Sequence, residues 1–139
     1  MSSAELENLV RIGSLKREPP SPSEILGLRR SGEARLKDAG NTALSLEGRF
    51  DLAYNAAHAL ALVALRRAGY RSEKRYVVFQ TLPHTLSIPS VTCRVLAKCH
   101  EIRNAAEYEG MFDIDERLVE ELVTAATVVR DALRLMKPP

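Results

Sequence analysis

The residues best suited to binding or catalytic chemistry lie together between positions 100 and 110. This segment reads His-Glu-Ile-Arg-Asn-Ala-Ala-Glu-Tyr-Glu-Gly. Asn104 is unusual within a helical pattern, because asparagine competes with the helix for backbone hydrogen bonds. Arg103 can pair with Glu107 at a spacing of four residues, but that pairing leaves Asn104 unexplained. We therefore expect Arg103 and Asn104 to have a functional or interface role.

A second candidate is a basic stretch in the middle of the chain. Five cations and one acid lie between positions 66 and 75, although the net charge of the whole chain is only +2. The cations of this basic stretch are Arg66, Arg67, Arg71, Lys74 and Arg75. Such a run is either a solvated surface or a site that attracts phosphate groups. If it contacts about three phosphates of a single strand, the log–log salt dependence of binding has a slope near about −2.

Metal sites and nucleophilic sites find little support in the sequence. Cys93, Cys99 and His100 lie close together, but they lack the closely spaced pairs of zinc ligands. The two cysteines are six residues apart in one predicted helix, or about 9 Å, which is too far for a disulfide. There is no glycine-flanked serine and no phosphate-binding glycine loop. We predict no metal and no cofactor, and a packing role for His58.

Length and composition indicate one ordinary globular domain. The chain has 139 residues, of which 45% are hydrophobic and 27% are charged, so disordered and fibrous classes are disfavoured. No apolar run reaches the ~18 residues that a membrane span requires. The first residues lack the basic and apolar regions of a signal peptide. We expect a cytoplasmic protein without a membrane span.

Helical periodicity predicts an all-α fold, a single up-and-down bundle of four to five helices. Residues 1–22 are expected to form an N-terminal arm with a proline-rich linker, and residues 23–139 the helical domain. A capping box at Ser21 begins a long helix, and its glycines predict a bend or break. The central core helix is expected over residues 49–68, with Gly69 in the left-handed conformation at its end. Its apolar residues, among them Phe50, Tyr54, Leu60 and Leu65, recur at alternating spacings of three and four, which predicts that they face the core.

The second half of the chain predicts three further helices. A short helix over residues 76–82 is followed by a loop over residues 83–89. The next helix runs from Ser90 to about residue 109, and Gly110 ends it. Its predicted inward residues are Val91, Val95, Leu96, Cys99, Ile102 and Ala106. Asp113 or Asp115 begins the last helix. The predicted buried stripe of that helix consists of Leu118, Val119, Leu122, Ala125, Ala126, Val129, Ala132, Leu133 and Met136.

Four segments carry a resemblance to a known family. Residues 49–71, 79–82 and 102–110, together with the leader at residues 15–25, resemble the HEPN superfamily of small helical domains. This resemblance implies a bundle that dimerises around an arginine motif. Many members are metal-independent RNases, and many are toxins paired with a nucleotidyltransferase-like antitoxin.

The sequence departs from the family at its catalytic motif, in which arginine precedes histidine by four to six residues. Arg103 matches the arginine, but Tyr108 stands where the histidine is expected, and no histidine follows His100. Tyrosine has an ordinary pKa of about 10 and is a poor base near pH 7. His100 lies three residues before Arg103 on the same helix face, so it is the alternative base.

Two functions follow from this comparison. The leading hypothesis is a non-catalytic HEPN-like homodimer that binds a nucleic acid, a nucleotide or a partner protein. Its predicted binding residues are Arg103, Asn104, Tyr108 and the basic stretch, which in the family lies beside the arginine motif. The alternative is a metal-independent RNase toxin that uses Arg103 and His100. A toxin–antitoxin or defence role implies a nucleotidyltransferase-like partner protein.

Overall fold

Four long helices, of 18 to 22 residues each, form the body of the fold. The computed structural model describes residues 3–109 and 114–136, without the side chains of residues 107–109. The described residues form α1 (Ala4–Arg11), β1 (Lys16–Arg17), α2 (Pro22–Ala39), α3 (Leu46–Arg67), β2 (Tyr70–Arg71), α4 (Arg75–Gln80), α5 (Leu82–Thr85), α6 (Ser90–Glu109) and α7 (Glu116–Leu135). The prediction of an all-α bundle is confirmed.

Serine caps set the beginnings of the first two long helices. The Ser21 side chain accepts the backbone N–H of Glu24 at 3.4 Å, so α2 begins where the capping box predicts. The expected break lies between the end of α2 at Ala39 and the start of α3. The Ser45 side chain accepts the N–H of Gly48 at 3.0 Å, and α3 therefore begins three residues earlier than predicted.

Helix α3 is the central core helix, as predicted. It contacts α2, α4, α5, α6 and α7, and its large side chains Phe50, Tyr54, Leu60 and Leu65 are at most 1% exposed. Helix α2 approaches α3 closely at Gly32, where an added Cβ would lie 2.8 Å from Leu60 Cγ. Gly69 follows α3 with φ +92°, which confirms its predicted left-handed conformation.

The N-terminal residues pack onto the end of α3. Leu6 and Leu15 are buried in the common core. Strand β1 pairs antiparallel with β2, which places Lys16 opposite Arg71 and Arg17 opposite Tyr70. No strand was predicted here, because two residues are too few to show an alternating pattern.

The remaining elements agree with the sequence except in detail. Helix α5 occupies part of the predicted loop over residues 83–89. Helix α6 begins at Ser90, but Val91 is 61% exposed, so its predicted burial is wrong. Val91 lines a groove between α6 and α7, which leaves its side chain in contact with solvent. The predictions for Gly110 and Asp113 lie outside the described residues.

Helix α7 confirms its predicted start at Asp115 and most of its predicted buried stripe, although Ala132 and Met136 are only partly buried. The Asp115 side chain accepts the N–H of Leu118 at 2.8 Å and caps the helix. The buried residues of α7 are Leu118, Val119, Leu122, Ala125, Ala126, Val129 and Leu133. Among the helices of the described ranges, none is long and apolar enough to span a membrane.

Candidate functional site

Polar side chains from separate helices meet at the buried ring of Tyr54. The guanidinium carbon of Arg75, at the start of α4, lies 5.4 Å from the centroid of this ring. The guanidinium carbon of Arg103, in α6, lies 4.9 Å from it. Cation–π attraction to the ring helps to hold both groups in place. The structure thus brings two arginines from distant parts of the sequence to one side chain of α3.

His100 is hydrogen-bonded at both ring nitrogens. Its Nδ1 lies 2.8 Å from Tyr54 Oη, and its Nε2 lies 3.1 Å from Asn104 Nδ2. Either neutral tautomer satisfies both contacts, depending on which way the Asn104 amide is turned. Burial lowers the pKa of His100, and the charges of Arg103 and Arg75 lower it further. We refer to Tyr54, Arg75, His100, Arg103 and Asn104 as the Tyr54 cluster.

Aromatic rings form the frame of this cluster. The ring centroids of Tyr76 and Phe79 lie 5.8 Å and 6.4 Å from that of His100. Phe79 is buried, whereas Tyr76 is 45% exposed and extends the cluster to the surface. His58 packs edge-on against Phe79 with centroids 6.1 Å apart. Burial, followed by the charges of the nearby arginines, lowers the pKa of His58 to about 4.

Arg75 is further positioned by a hydrogen bond to α3. Its Nη1 donates to Asn55 Oδ1 at 2.8 Å, and the Asn55 amide donates to the carbonyl of Asp51 at 2.8 Å. Because Asn55 is itself held by the helix, the guanidinium of Arg75 has a defined orientation. An oriented guanidinium is suited to bidentate recognition of a phosphate or carboxylate.

Other cations of the basic stretch are held by acids in the N-terminal segment. Arg66 is 1% exposed and donates to Glu24 Oε1 at 2.8 Å, with Glu18 Oε2 3.2 Å from its Nη2. Arg71 donates to Glu18 Oε2 at 2.6 Å and also pairs with Glu24. These contacts lower the pKa of Glu24, the hydrogen bond from Arg71 having the largest effect. We therefore assign Arg66 and Arg71 a structural role.

The other predicted binding residues are Arg67, Lys74 and Tyr108. Arg67 is half-buried in the last turn of α3, and Lys74 is exposed just before α4. Lys74 and Arg71 line a small cavity of about 160 Å³ near β1. The side chain of Tyr108 lies outside the described residues. Arg75, which also belongs to the basic stretch, lies against the Tyr54 ring.

Sequence reasoning missed the part that Tyr54 has in the site. The helical spacing placed Tyr54 correctly in the core, but it gave no site role to this residue or to Asn55. A buried tyrosine hydroxyl usually finds a hydrogen-bond partner. That rule predicts a polar neighbour for Tyr54, but it does not identify His100, which lies 46 positions further along the chain.

Neither a metal centre nor a known relative identifies the site. Within residues 3–109 and 114–136, no group of three or more His, Cys, Asp or Glu residues could hold a metal ion. Comparisons with protein-family models, with curated proteins and with solved structures found no match to this chain. The HEPN resemblance therefore stays a hypothesis, and a function must be inferred from the geometry of the site.

Proposed function

We propose that the protein binds single-stranded nucleic acid through its phosphate groups, without cleaving it, at the Tyr54 cluster. The observation that carries this proposal is the placement of Arg75 and Arg103 at one buried aromatic ring, 5.4 Å and 4.9 Å from its centroid. Two guanidinium groups in a small region concentrate positive charge. A phosphate group matches the planar array of donors that each guanidinium presents.

The surroundings of the two arginines support a nucleic acid rather than a simple anion. The exposed ring of Tyr76 lies beside His100, where it can stack on a base. His100 and Asn104 add polar groups without adding charge at pH 7, because the pKa of His100 is lowered. A net charge of only +2 favours weak binding of a short strand over extensive contact with a duplex.

The hydrogen bonding of His100 supports the proposal that the protein does not cleave the strand. Both of its ring nitrogens are hydrogen-bonded inside the protein, to Tyr54 and Asn104. A general base must instead reach the proton that it removes from the substrate. The sequence supplies no histidine after Arg103, so the catalytic pairing of the HEPN family is missing.

One observation favours the alternative, a metal-independent RNase that uses Arg103 and His100. The lowered pKa keeps His100 neutral at pH 7, which is the protonation state that a general base requires. A change of the Asn104 side-chain rotamer that moves its amide away from the imidazole would release Nε2 for this role. A cleavage assay on single-stranded RNA separates the two functions.

The HEPN-like homodimer and the nucleotidyltransferase-like partner are retained as parts of this proposal. The contacts of Arg103 with Tyr54 and of Asn104 with His100 lie within one chain. Both side chains therefore have contacts without a second copy of the chain, and the support for a dimer comes from the family resemblance. The dimer is therefore tested separately, by measuring the mass of the protein in solution with light scattering.

The proposal is tested by fluorescence anisotropy with a labelled single-stranded RNA at several salt concentrations. Two phosphate contacts, one for each arginine, give a log–log slope of about −1.4 at 0.7 per contact. Arg75→Gln and Arg103→Gln should each reduce the slope to about −0.7. Arg30→Gln is the control, because Arg30 is exposed on α2. Binding that ignores salt, or that survives both substitutions unchanged, would refute the proposal.

A further inference from the structure

A groove of about 300 Å³ lies between the α4–α5 segment and α6. The α4–α5 side is lined by Tyr76, Phe79, Gln80 and Pro83, and the α6 side by Ser90, Cys93, Arg94 and Ala97. We call this cavity the α4–α6 groove. Its volume falls within the range of small-ligand pockets in proteins.

The α4–α6 groove is continuous with the Tyr54 cluster. Its α6 residues are spaced at i, i+3, i+4 and i+7, so they occupy one face of the helix. Three and seven residues beyond Ala97, the same face presents His100 and Asn104. Tyr76 and Phe79 line the groove and also lie 5.8 Å and 6.4 Å from the His100 ring. A ligand in the groove would therefore adjoin the two arginines of the cluster.

The chemistry of the groove fits a flat, electron-rich ring. Phe79 and Ala97 supply apolar surface, and the half-exposed ring of Tyr76 supplies a stacking face. Gln80 and Arg94 carry the two side chains that recognise purine edges, glutamine at adenine and arginine at guanine. None of the described residues that line the groove is acidic, so nothing there repels the ring nitrogens and oxygens of a base.

We propose that the α4–α6 groove holds one purine base of the bound strand, with the adjoining phosphate at Arg75 and Arg103. This inference rests on the proposed function and goes beyond it, because it predicts a preference among bases. The recognised chemistry is a purine nucleoside phosphate. It is present both in a single strand and in a free mononucleotide, and the experiment distinguishes these two sources.

The experiment compares three labelled strands that carry the same number of phosphates. One strand is abasic throughout, one has a single central adenine, and one has a single central uracil. Base stacking and edge contacts should make the adenine strand bind about tenfold more tightly than the abasic strand, with a smaller gain for uracil. Equal binding of the adenine and abasic strands would overturn the groove proposal alone. Failure of the abasic strand to show salt-dependent binding would instead overturn the proposed function.

A substitution that fills the groove supplies the matched control. Ala97→Phe places a ring in the groove, so it should remove the advantage of adenine while the abasic strand binds as before. Ala105→Phe is the control, because Ala105 is exposed elsewhere on α6. If Ala97→Phe retains the full advantage of adenine, the base lies outside the groove and the proposal is wrong.

The thiol of Cys93 reports on the groove in the unmodified protein. Cys93 lines the groove and is partly exposed, whereas Cys99 is fully buried. Saturating adenine strand should slow maleimide alkylation of Cys93 at least threefold, and the abasic strand should not. Protection by adenosine monophosphate alone would support the proposal with a free nucleotide as the ligand. Equal rates with every ligand would overturn it.

Discussion

Replacing Arg66 with methionine should destabilise the fold without removing the nucleic-acid site. Arg66 belongs to the basic stretch by sequence, yet its guanidinium is buried beneath the N-terminal segment. Its Nη1 donates to the carbonyls of Glu18 at 3.0 Å and Tyr70 at 3.2 Å, and its Nη2 donates to that of Pro19 at 2.8 Å. Its Nε donates to the Glu24 carboxylate at 2.8 Å. Methionine fills a similar volume but satisfies none of these acceptors.

The magnitude follows from the groups that lose their donor. Removing one partner of a buried ion pair typically costs 3–5 kcal/mol, because the other partner is left without compensation. Glu24 keeps its bond to Arg71, and its side chain is 30% exposed, so water can replace part of what is lost. We therefore expect the lower end of that range, about 3 kcal/mol in the free energy of unfolding.

The assay is equilibrium unfolding in urea at pH 7, followed by far-ultraviolet circular dichroism. Arg30→Met is the control, since Arg30 is exposed on α2 and a surface change of this kind usually alters stability by less than about 0.5 kcal/mol. The folded Arg66→Met protein should bind RNA with the same salt slope as the parent protein. An Arg66→Met variant as stable as the control, or one that has lost RNA binding while folded, would refute our assignment of Arg66 to structure.

Three further predictions concern pH, catalysis and assembly. As pH falls from 6.5 to about 4, His58 becomes protonated in the unfolded chain but stays neutral in the folded protein, so the free energy of unfolding decreases. At 1.36 kcal/mol per pKa unit, the loss of stability amounts to about 3 kcal/mol. The free energy of unfolding of His58→Leu, measured in urea, should therefore depend less on pH. The purified protein should not cut single-stranded RNA; cleavage that a folded His100→Ala variant lacks would establish the RNase alternative. Light scattering at micromolar concentration should give twice the mass of the chain, and a monomer would contradict the homodimer.

Local patterns in the sequence determined the helices. The alternating three- and four-residue spacing of apolar residues along α3 identified the central helix and its buried side chains, including Phe50 and Tyr54. Ser21 and Asp115 marked helix starts, because a capping side chain acts within its own first turn. The end of α3 was equally local, since Gly69 adopts a positive φ next to the last turn.

Tertiary packing decided what each cation does. Arg66, Arg71 and Arg75 look equivalent in the sequence, but the first two reach Glu18 and Glu24, 42 to 53 positions away in the chain. Arg75 reaches the Tyr54 ring instead, where it meets Arg103 of another helix. Side-chain pairing over such separations depends on how whole helices pack, and no periodicity within one helix encodes it. The sequence alone therefore identifies the basic stretch as a candidate site. Only the packed structure separates Arg66 and Arg71, which have a structural role, from Arg75, the proposed binding residue.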